Sequence, residues 1–299
     1  MDEPYIISNY IAKLLDKGET NDDVASIFLN KNNYIITSDT INEDIHFFAS
    51  DSAKSIAYRL IIVNLSDVFA KGLKPLFITL NLSFKSGLGK NWYDEFFEEI
   101  SLLKDRFNFK IIGGDTCLSI KNSLSATVIA ESYPNFPKRS RSVLGDDLYV
   151  TNLVGCSFLG YNSIKNSRES KFVHNYHYPK PTFDFIPIIK KCANGSTDTS
   201  DGLFTSLENI SIASNLGFEI DFETIPFASQ ENPVDQFCIS DDYQVLFSSN
   251  PDNFTIISDF SKKVRKKITK IGYLTSSSNI IKNISEVDRG RIRKLFHKF

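Results

Sequence analysis

The segment Ser52 to Lys71 constrains this chain more than any other. It is rich in Ala, Ile and Leu, and Gly72 followed by Pro75 ends it as a helix. Ile61, Ile62, Val63, Leu65, Val68 and Phe69 put apolar side chains nearly all round it, the pattern of a buried helix. Inside it Asn64 and Asp67 are three residues apart and share one face. A carboxylate on a buried helix must be paired or bind a metal, because an isolated charge away from water is too costly.

The helix is one element of a mixed chain. Pro4 to Lys17 has Ile7, Ile11, Leu14 and Leu15 at helical spacing, and Gly18 stops it. Asn21-Asp22-Asp23 is a polar turn into an apolar strand. A second strand runs from Tyr34 into Thr37-Ser38-Asp39-Thr40 and emerges at His46-Phe47-Phe48. Leu76 to Phe84 alternates as a half-buried strand, Trp92 to Phe107 reads as a helix, and a short strand at Phe109 turns at Gly113-Gly114-Asp115. Leu124 to Glu131 is a further strand. Composition shifts to Pro, Ser, Arg and Gly over Pro134 to Gly145, which sets expected domains of 1–137 and 138–299. Beyond it come a strand at Leu148, a turn into a helix at Gly155, a charged loop at Lys165 to Lys171 and a helix from Leu203 to Asn215. Strands are expected at Phe218 to Phe222, Asn253 to Ile257 and Ile268 to Leu274, and Ser240 to Phe247 reads as an acidic turn into another. The class is α/β (α+β), and 299 residues allow one or two domains with an ample core.

Composition excludes several functions. A net charge of −2 gives no bulk electrostatic case for nucleic acid. No apolar run approaches the ~20 residues that span a bilayer, and Met1-Asp2-Glu3-Pro4 is acidic where a signal peptide is basic. Cys117, Cys156, Cys192 and Cys238 are far apart and form neither a zinc spacing nor a disulfide framework. The expectation is a cytoplasmic protein without membrane or nucleic-acid partners.

The acids recur at strand ends and helix starts: Asp22 and Asp23, Asp39, Asp67, Asp115, Asp198 and Asp201, Asp241 and Asp242. Thr37-Ser38-Asp39-Thr40 offers a carboxylate and hydroxyls at a strand edge, a donor set for a hard cation such as Mg²⁺, although the same residues favour turns. Asp198 and Asp201 precede a helix N-terminus, where phosphate would be attracted but two carboxylates would repel it without a cation between; an N-cap accounts for one of them. Acids converging on one site need divalent cations to offset their repulsion, and clustered Mg²⁺ most often serves phosphoryl transfer. The chain has no GxxxxGK[ST], no HRD with a following DFG and no GxGxxG. Arg139 and Arg141 lie in the linker, where an arginine can make a bidentate phosphate contact or only be solvated. His174 and His177 lack an acidic or Cys partner pattern and read as non-ligands.

Taken in order, NDDVA, TSDT-x5-HF, NLSD, GGDT, R-x6-GD, D-x-SDG and DDY, from about residue 20 to 247, resemble the thiamine-monophosphate kinase family, in the superfamily of aminoimidazole ribonucleotide synthetase. The resemblance implies a two-domain PurM-like fold, an N-terminal sheet that pairs in a homodimer, and ATP between the domains. It implies ATP-dependent phosphorylation of thiamine monophosphate to thiamine diphosphate by direct in-line transfer, with several Mg²⁺ ions. Carried over by motif, Asp23, Thr37, Ser38, Asp39, Asp67, Asp115, Asp198 and Asp201 would bind metal, with Asp22 a helper. Gly114, Asp115, Arg139 and Ser200 would bind ATP, and His46 and Asp241 thiamine monophosphate. Phe296 or Phe299 would supply a C-terminal aromatic contact. The chain departs from the family at Asn21 and Asp44, where Gly is usual, and at Ile239-Ser240-Asp241-Asp242, which replaces GGED. A binder of ATP or thiamine phosphates without turnover is the alternative from another class. Selenophosphate synthetase and the hydrogenase-maturation relative are disfavoured, the first lacking a reactive Cys near the N-terminus and the second a C-terminal cysteine.

Overall fold

The computed structural model describes residues 3–9, 11–14, 22–29, 32–239 and 241–296. The N-terminal half runs α1 (Glu3–Asn9), β1 (Ala25–Leu29), β2 (Asn32–Asn42), α2 (Ala53–Ala70), β3 (Pro75–Lys85), α3 (Lys90–Phe107), β4 (Lys110–Ser119) and β5 (Ser123–Ser132). The C-terminal half runs β6 (Asp147–Thr151), α4 (Cys156–Lys165), α5 (Val173–His177), α6 (Ile186–Cys192), β7 (Gly195–Asp198) and α7 (Leu203–Ser214). It continues through β8 (Gly217–Asp221), α8 (Pro233–Cys238), β9 (Val245–Ser249), α9 (Phe254–Val264), β10 (Ile268–Thr275), β11 (Ile280–Lys282) and α10 (Glu286–Phe296).

Each half has its own sheet, of order β1-β2-β5-β3-β4 and β11-β8-β10-β6-β9-β7. The first is antiparallel except for β3 and β4, which run parallel because α3 crosses between them. α2 and α3 cover one face of this sheet, and their apolar side chains join those of β2, β3 and β5 in one core. The other face is polar, with Thr40, Ser125 and Asn81 on neighbouring strands. β4, the edge strand, is exposed almost throughout, including Ile112 at 54% and Leu118 at 69%.

α2 is buried at every position except Lys54. Ser52 caps its N-terminus by accepting from the Ser55 amide, and Lys71 closes it by donating its amide back to Asp67 O. The helix lies against both halves. Tyr58 donates to Pro179 O at 3.0 Å, Ser66 to Asp198 Oδ2 at 2.6 Å, and Ser196 Oγ to Ala70 O at 2.6 Å. Gly114 is needed for close approach: at φ +150, an added Cβ would lie 1.8 Å from Leu80 O on β3.

Three expectations change. Gly113-Gly114-Asp115 is not a turn but the middle of β4, which runs on to Ser119 in parallel register with β3. Asn253 to Ile257 is not a strand but the start of α9, entered through a 3-10 turn whose Asn250 side chain accepts from the Asp252 amide. Ile257 and Phe260, three apart, face the core from that helix; a five-residue window of apolar residues does not reveal this period. The N-terminal helix is shorter than Pro4 to Lys17, since α1 ends at Asn9 and a 3-10 turn follows over Ile11–Lys13. Leu15 to Lys17 lie outside the described residues.

Candidate active site

Two charged residues of α2, Arg59 and Asp67, and its C-cap Lys71 are buried. Burying an ion costs several kcal/mol unless an opposite charge and hydrogen bonds compensate. Arg59 is compensated, with Nη1 2.5 Å from Asp241 Oδ2, Nη2 donating to Tyr176 O at 2.6 Å, and its guanidinium 4.5 Å from the Tyr176 ring centre. Lys71 is compensated by Asp22, by Asp23 Oδ2 at 2.6 Å and by Ser196 O at 2.7 Å. Asp67 accepts only the Thr37 hydroxyl, at 2.6 Å, among the hydrogen bonds recorded for the described residues. Its charged neighbours include Asp198, Asp39 and Asp23.

Asp23, Asp67 and Asp198 bring carboxylate oxygens within 4.8 Å of one another. They come from the loop before β1, from α2 and from the end of β7, so the cluster sits where the two halves meet. Asp198 accepts from Ser66 and, at 3.0 Å, from Ser200. Asp23 accepts from Thr197 Oγ1 at 2.9 Å and from Arg139, whose Nε donates to Thr197 at 3.1 Å. Asp39 lies alongside: Asn64 Oδ1 accepts its amide at 2.8 Å, and the charges of Asp201 and Asp23 act on its carboxyl.

Burial raises the Asp198 carboxyl to about 7, helped by the charge of Asp23, and raises Asp39 to about 6, helped by Asp201 and Asp23. Asp67 is pushed well above the usual carboxylate range by burial and then by Asp198. Burial acts the same way on Asp23, but Lys71 and Arg139 outweigh it and hold that carboxyl low. The converging oxygens of Asp23, Asp67 and Asp198, two of them on acids with raised values and with Asp39 alongside, fit a hard divalent cation, which would offset their repulsion.

A pH dependence follows. Acids with raised values keep protons in the folded state that the unfolded chain has released, so their stability contribution is present below the unfolded value and lost as pH rises. For Asp39 and Asp198 the window runs from the ordinary 3.8 up to about 6 and about 7. In EDTA the urea midpoint is expected to fall between roughly pH 4 and pH 7, and Mg²⁺ to remove most of the fall. A metal-free midpoint that rises across this range would show that the acids ionise in the folded protein without cost.

The other expected site residues divide into groups. Thr37 joins the cluster through Asp67. Ser38, one residue on, faces the opposite side of the sheet and bonds Ala126 O and Thr127 Oγ1. Asp39, Ala126, Leu80 and Gly114 form one row across β2, β5, β3 and β4, three strand spacings from end to end. At about 4.8 Å per strand, Gly114 and its neighbour Asp115 are ~14 Å from Asp39 within one chain. Ser200 and Asp201 lie at the cluster beside Asp198 and Asp39.

His46 and Asp241 belong to a second region. His46 is exposed in the turn after β2, its Nδ1 accepting the Asn42 amide at 3.0 Å. Phe48, two residues on, stacks on Tyr161 with ring centres 5.5 Å apart and packs on Tyr176 at 5.8 Å. Tyr176 in turn carries Arg59, which holds Asp241. Asp44 and Asp241 both have left-handed backbone, φ +69 and +51. Asp242 is buried and caps α4 by accepting the amides of Gly155 and Ser157. Asn21, Ser240 and Phe299 lie outside the described residues, as does the side chain of Phe296.

Sequence reasoning missed Arg59, Lys71, Ser66 and the Phe48–Tyr161–Tyr176 group. The signal for two of them was present: Arg59 and Lys71 sit on the same buried helix as Asp67 and need partners for the same reason.

The two sheets and the acid cluster between them define a class. Residues 21–131 match the family described as AIR synthase related protein, N-terminal domain, and residues 144–282 match its C-terminal domain. Thiamine-monophosphate kinase of Buchnera aphidicola subsp. Acyrthosiphon pisum (strain APS) is 30% identical over 297 residues, covering 90% of each chain. The solved structure of AaThiL complexed with AMPPCP and TMP has a TM-score of 0.85 at 22% identity, covering 95% of this chain and 96% of that one. Thiamine monophosphate kinase from Aquifex aeolicus gives 0.82 at 22% identity, covering 94% and 98%. The chain therefore has the two-domain PurM-like fold of the AIR synthase related proteins. Within them it belongs to the thiamine-monophosphate kinase family.

Proposed function

We propose that this kinase transfers the γ-phosphoryl group of ATP directly to the phosphate of thiamine monophosphate, giving thiamine diphosphate and ADP. The observation that carries the proposal is Asp67: a buried carboxylate that packs against other acids while its helix neighbours Arg59 and Lys71 are each paired with acids. Family membership supplies the reaction class, and the named relative supplies the acceptor.

In this reading Asp23, Asp39, Asp67, Asp198 and Asp201 hold Mg²⁺, with Thr37 fixing Asp67 and Ser66 fixing Asp198. Bound Mg²⁺ would neutralise charge on the triphosphate. Ser200 and Arg139 stand at the same cluster on the nucleotide side; the Arg139 side chain is 16% exposed while bonded to Asp23. A phosphate monoester is largely ionised near neutral pH and needs little help from a base, which agrees with a cluster of carboxylates and hydroxyls. His46, Asp241 and the Phe48–Tyr161–Tyr176 group form the proposed thiamine end.

The polar open face of the five-stranded sheet and the exposed apolar residues of β4 support pairing of two copies through this sheet. Gly114, Asp115 and Ser38 would then lie at that pairing surface. Among the described residues no helix is long and apolar enough to cross a membrane, and the proposed setting is the cytoplasm.

Initial rates with ATP, Mg²⁺ and thiamine monophosphate, with free thiamine and the aminoimidazole ribonucleotide precursor as parallel acceptors, test the proposal. ADP release that requires thiamine monophosphate is expected. A preference for either other acceptor, or ATP binding with no acceptor-dependent ADP, would overturn it.

A further inference from the structure

Lys71 is the feature that the proposed reaction does not use. Its side chain is fully buried at the end of α2. Three oxygens from separate segments converge on Nζ: Asp22 Oδ1, Asp23 Oδ2 at 2.6 Å, and the β7 carbonyl Ser196 O at 2.7 Å. Two carboxylates and a carbonyl are the donor set of a hard-cation site, here filled by an ammonium on a four-carbon stem. The other oxygen of Asp22, Oδ2, is buried with no hydrogen-bond partner. Asp23 has a second cation in Arg139, so two acids and two cations balance at this corner. Asp39, Asp67 and Asp198 lie on the other side without such a partner among the ion pairs of the described residues.

We infer that Lys71 is a tethered cation that permanently fills one cation position of the acid cluster, so that Asp22 is not a metal ligand and divalent ions are held by the remaining acids, Asp23, Asp39, Asp67, Asp198 and Asp201. The consequence is a built-in positive charge beside the triphosphate that does not depend on the metal concentration. It also ties the loop before β1 and the start of β7 to α2 whether or not metal is bound. The inference rests on reading the acid cluster as a divalent-ion site, and a Mn²⁺ titration of the wild-type protein tests that reading alone.

The test is Lys71→Met, which keeps side-chain length and apolar volume but removes the charge. Mn²⁺ binding is counted by electron paramagnetic resonance without nucleotide, and thermal unfolding is followed in EDTA and in Mg²⁺. The variant is expected to bind about one more Mn²⁺ than the wild type, with Asp22, Asp23 and Ser196 O as the new ligands. It is also expected to be less stable than the wild type in EDTA and to recover most of the difference in Mg²⁺. Equal Mn²⁺ counts, or the same Mg²⁺-induced shift in Tm in both proteins, would overturn the inference, whatever the wild type binds. Asp22→Asn decides the matter if Lys71→Met does not fold. Mn²⁺ affinity within about twofold of wild type is expected, and a loss of roughly tenfold or more would make Asp22 a metal ligand and overturn the inference.

Discussion

Replacing Asp67 by Asn is expected to lower kcat by about a thousandfold or more while leaving the protein folded and, in EDTA, at least as stable as the wild type. The two effects have one cause. The Asp67 carboxylate is buried among Asp198, Asp39 and Asp23, so its charge is unfavourable until a cation arrives. Asn keeps the acceptor for the Thr37 hydroxyl and removes the charge, which relieves the metal-free fold and deprives the site of a ligand. A merely structural aspartate would behave in the opposite way, losing stability and keeping turnover. Rates within about tenfold of wild type would remove Asp67 from the proposed metal site.

Replacing Arg59 by Met is expected to cost about 3 kcal/mol of stability, read as a lower urea midpoint. Arg59 spans the two halves: it starts on α2, holds Asp241 in the C-terminal half and donates to Tyr176 O. Met refills the volume but leaves Tyr176 O without its charged donor and Asp241 without its charged partner, with the Tyr243 side chain still bonded to it. Asp241 is 39% exposed and can turn to water, so the expected cost stays below that of stranding a fully buried charge. Because Asp241 sits in left-handed backbone at φ +51, losing its anchor is also expected to raise KM for thiamine monophosphate more than KM for ATP. A change below about 1 kcal/mol with unchanged KM values would show that the pair neither joins the halves nor positions Asp241.

Much of this arrangement was legible in the chain. The apolar surround of Asp67 marks a buried helix, and α2 is buried at all positions but one. The turn after β2 was read through to His46, and Asp44 within it has left-handed backbone at φ +69, a conformation that glycine adopts most readily. What was not legible is mostly a matter of facing and distance. Thr37, Ser38 and Asp39 are consecutive, but strand alternation sends Ser38 to the opposite side from its neighbours, and linear motif order does not register that. Asp115 recurs in the motif series, yet three strand spacings separate it from Asp39 in one chain. Ser66 reaching Asp198 across 132 residues leaves no local pattern. Arg59 and Lys71 were within reach, since the requirement that a buried charge be paired applies to every charge on α2.

The central claim is tested most directly by following ATP, Mg²⁺ and thiamine monophosphate with the protein by ³¹P nuclear magnetic resonance. The expected result is a thiamine diphosphate β-phosphorus signal that grows in step with ADP, while the thiamine monophosphate signal declines and no inorganic phosphate accumulates. Bound ATP with an unchanging thiamine monophosphate signal, or ADP matched by inorganic phosphate, would contradict it.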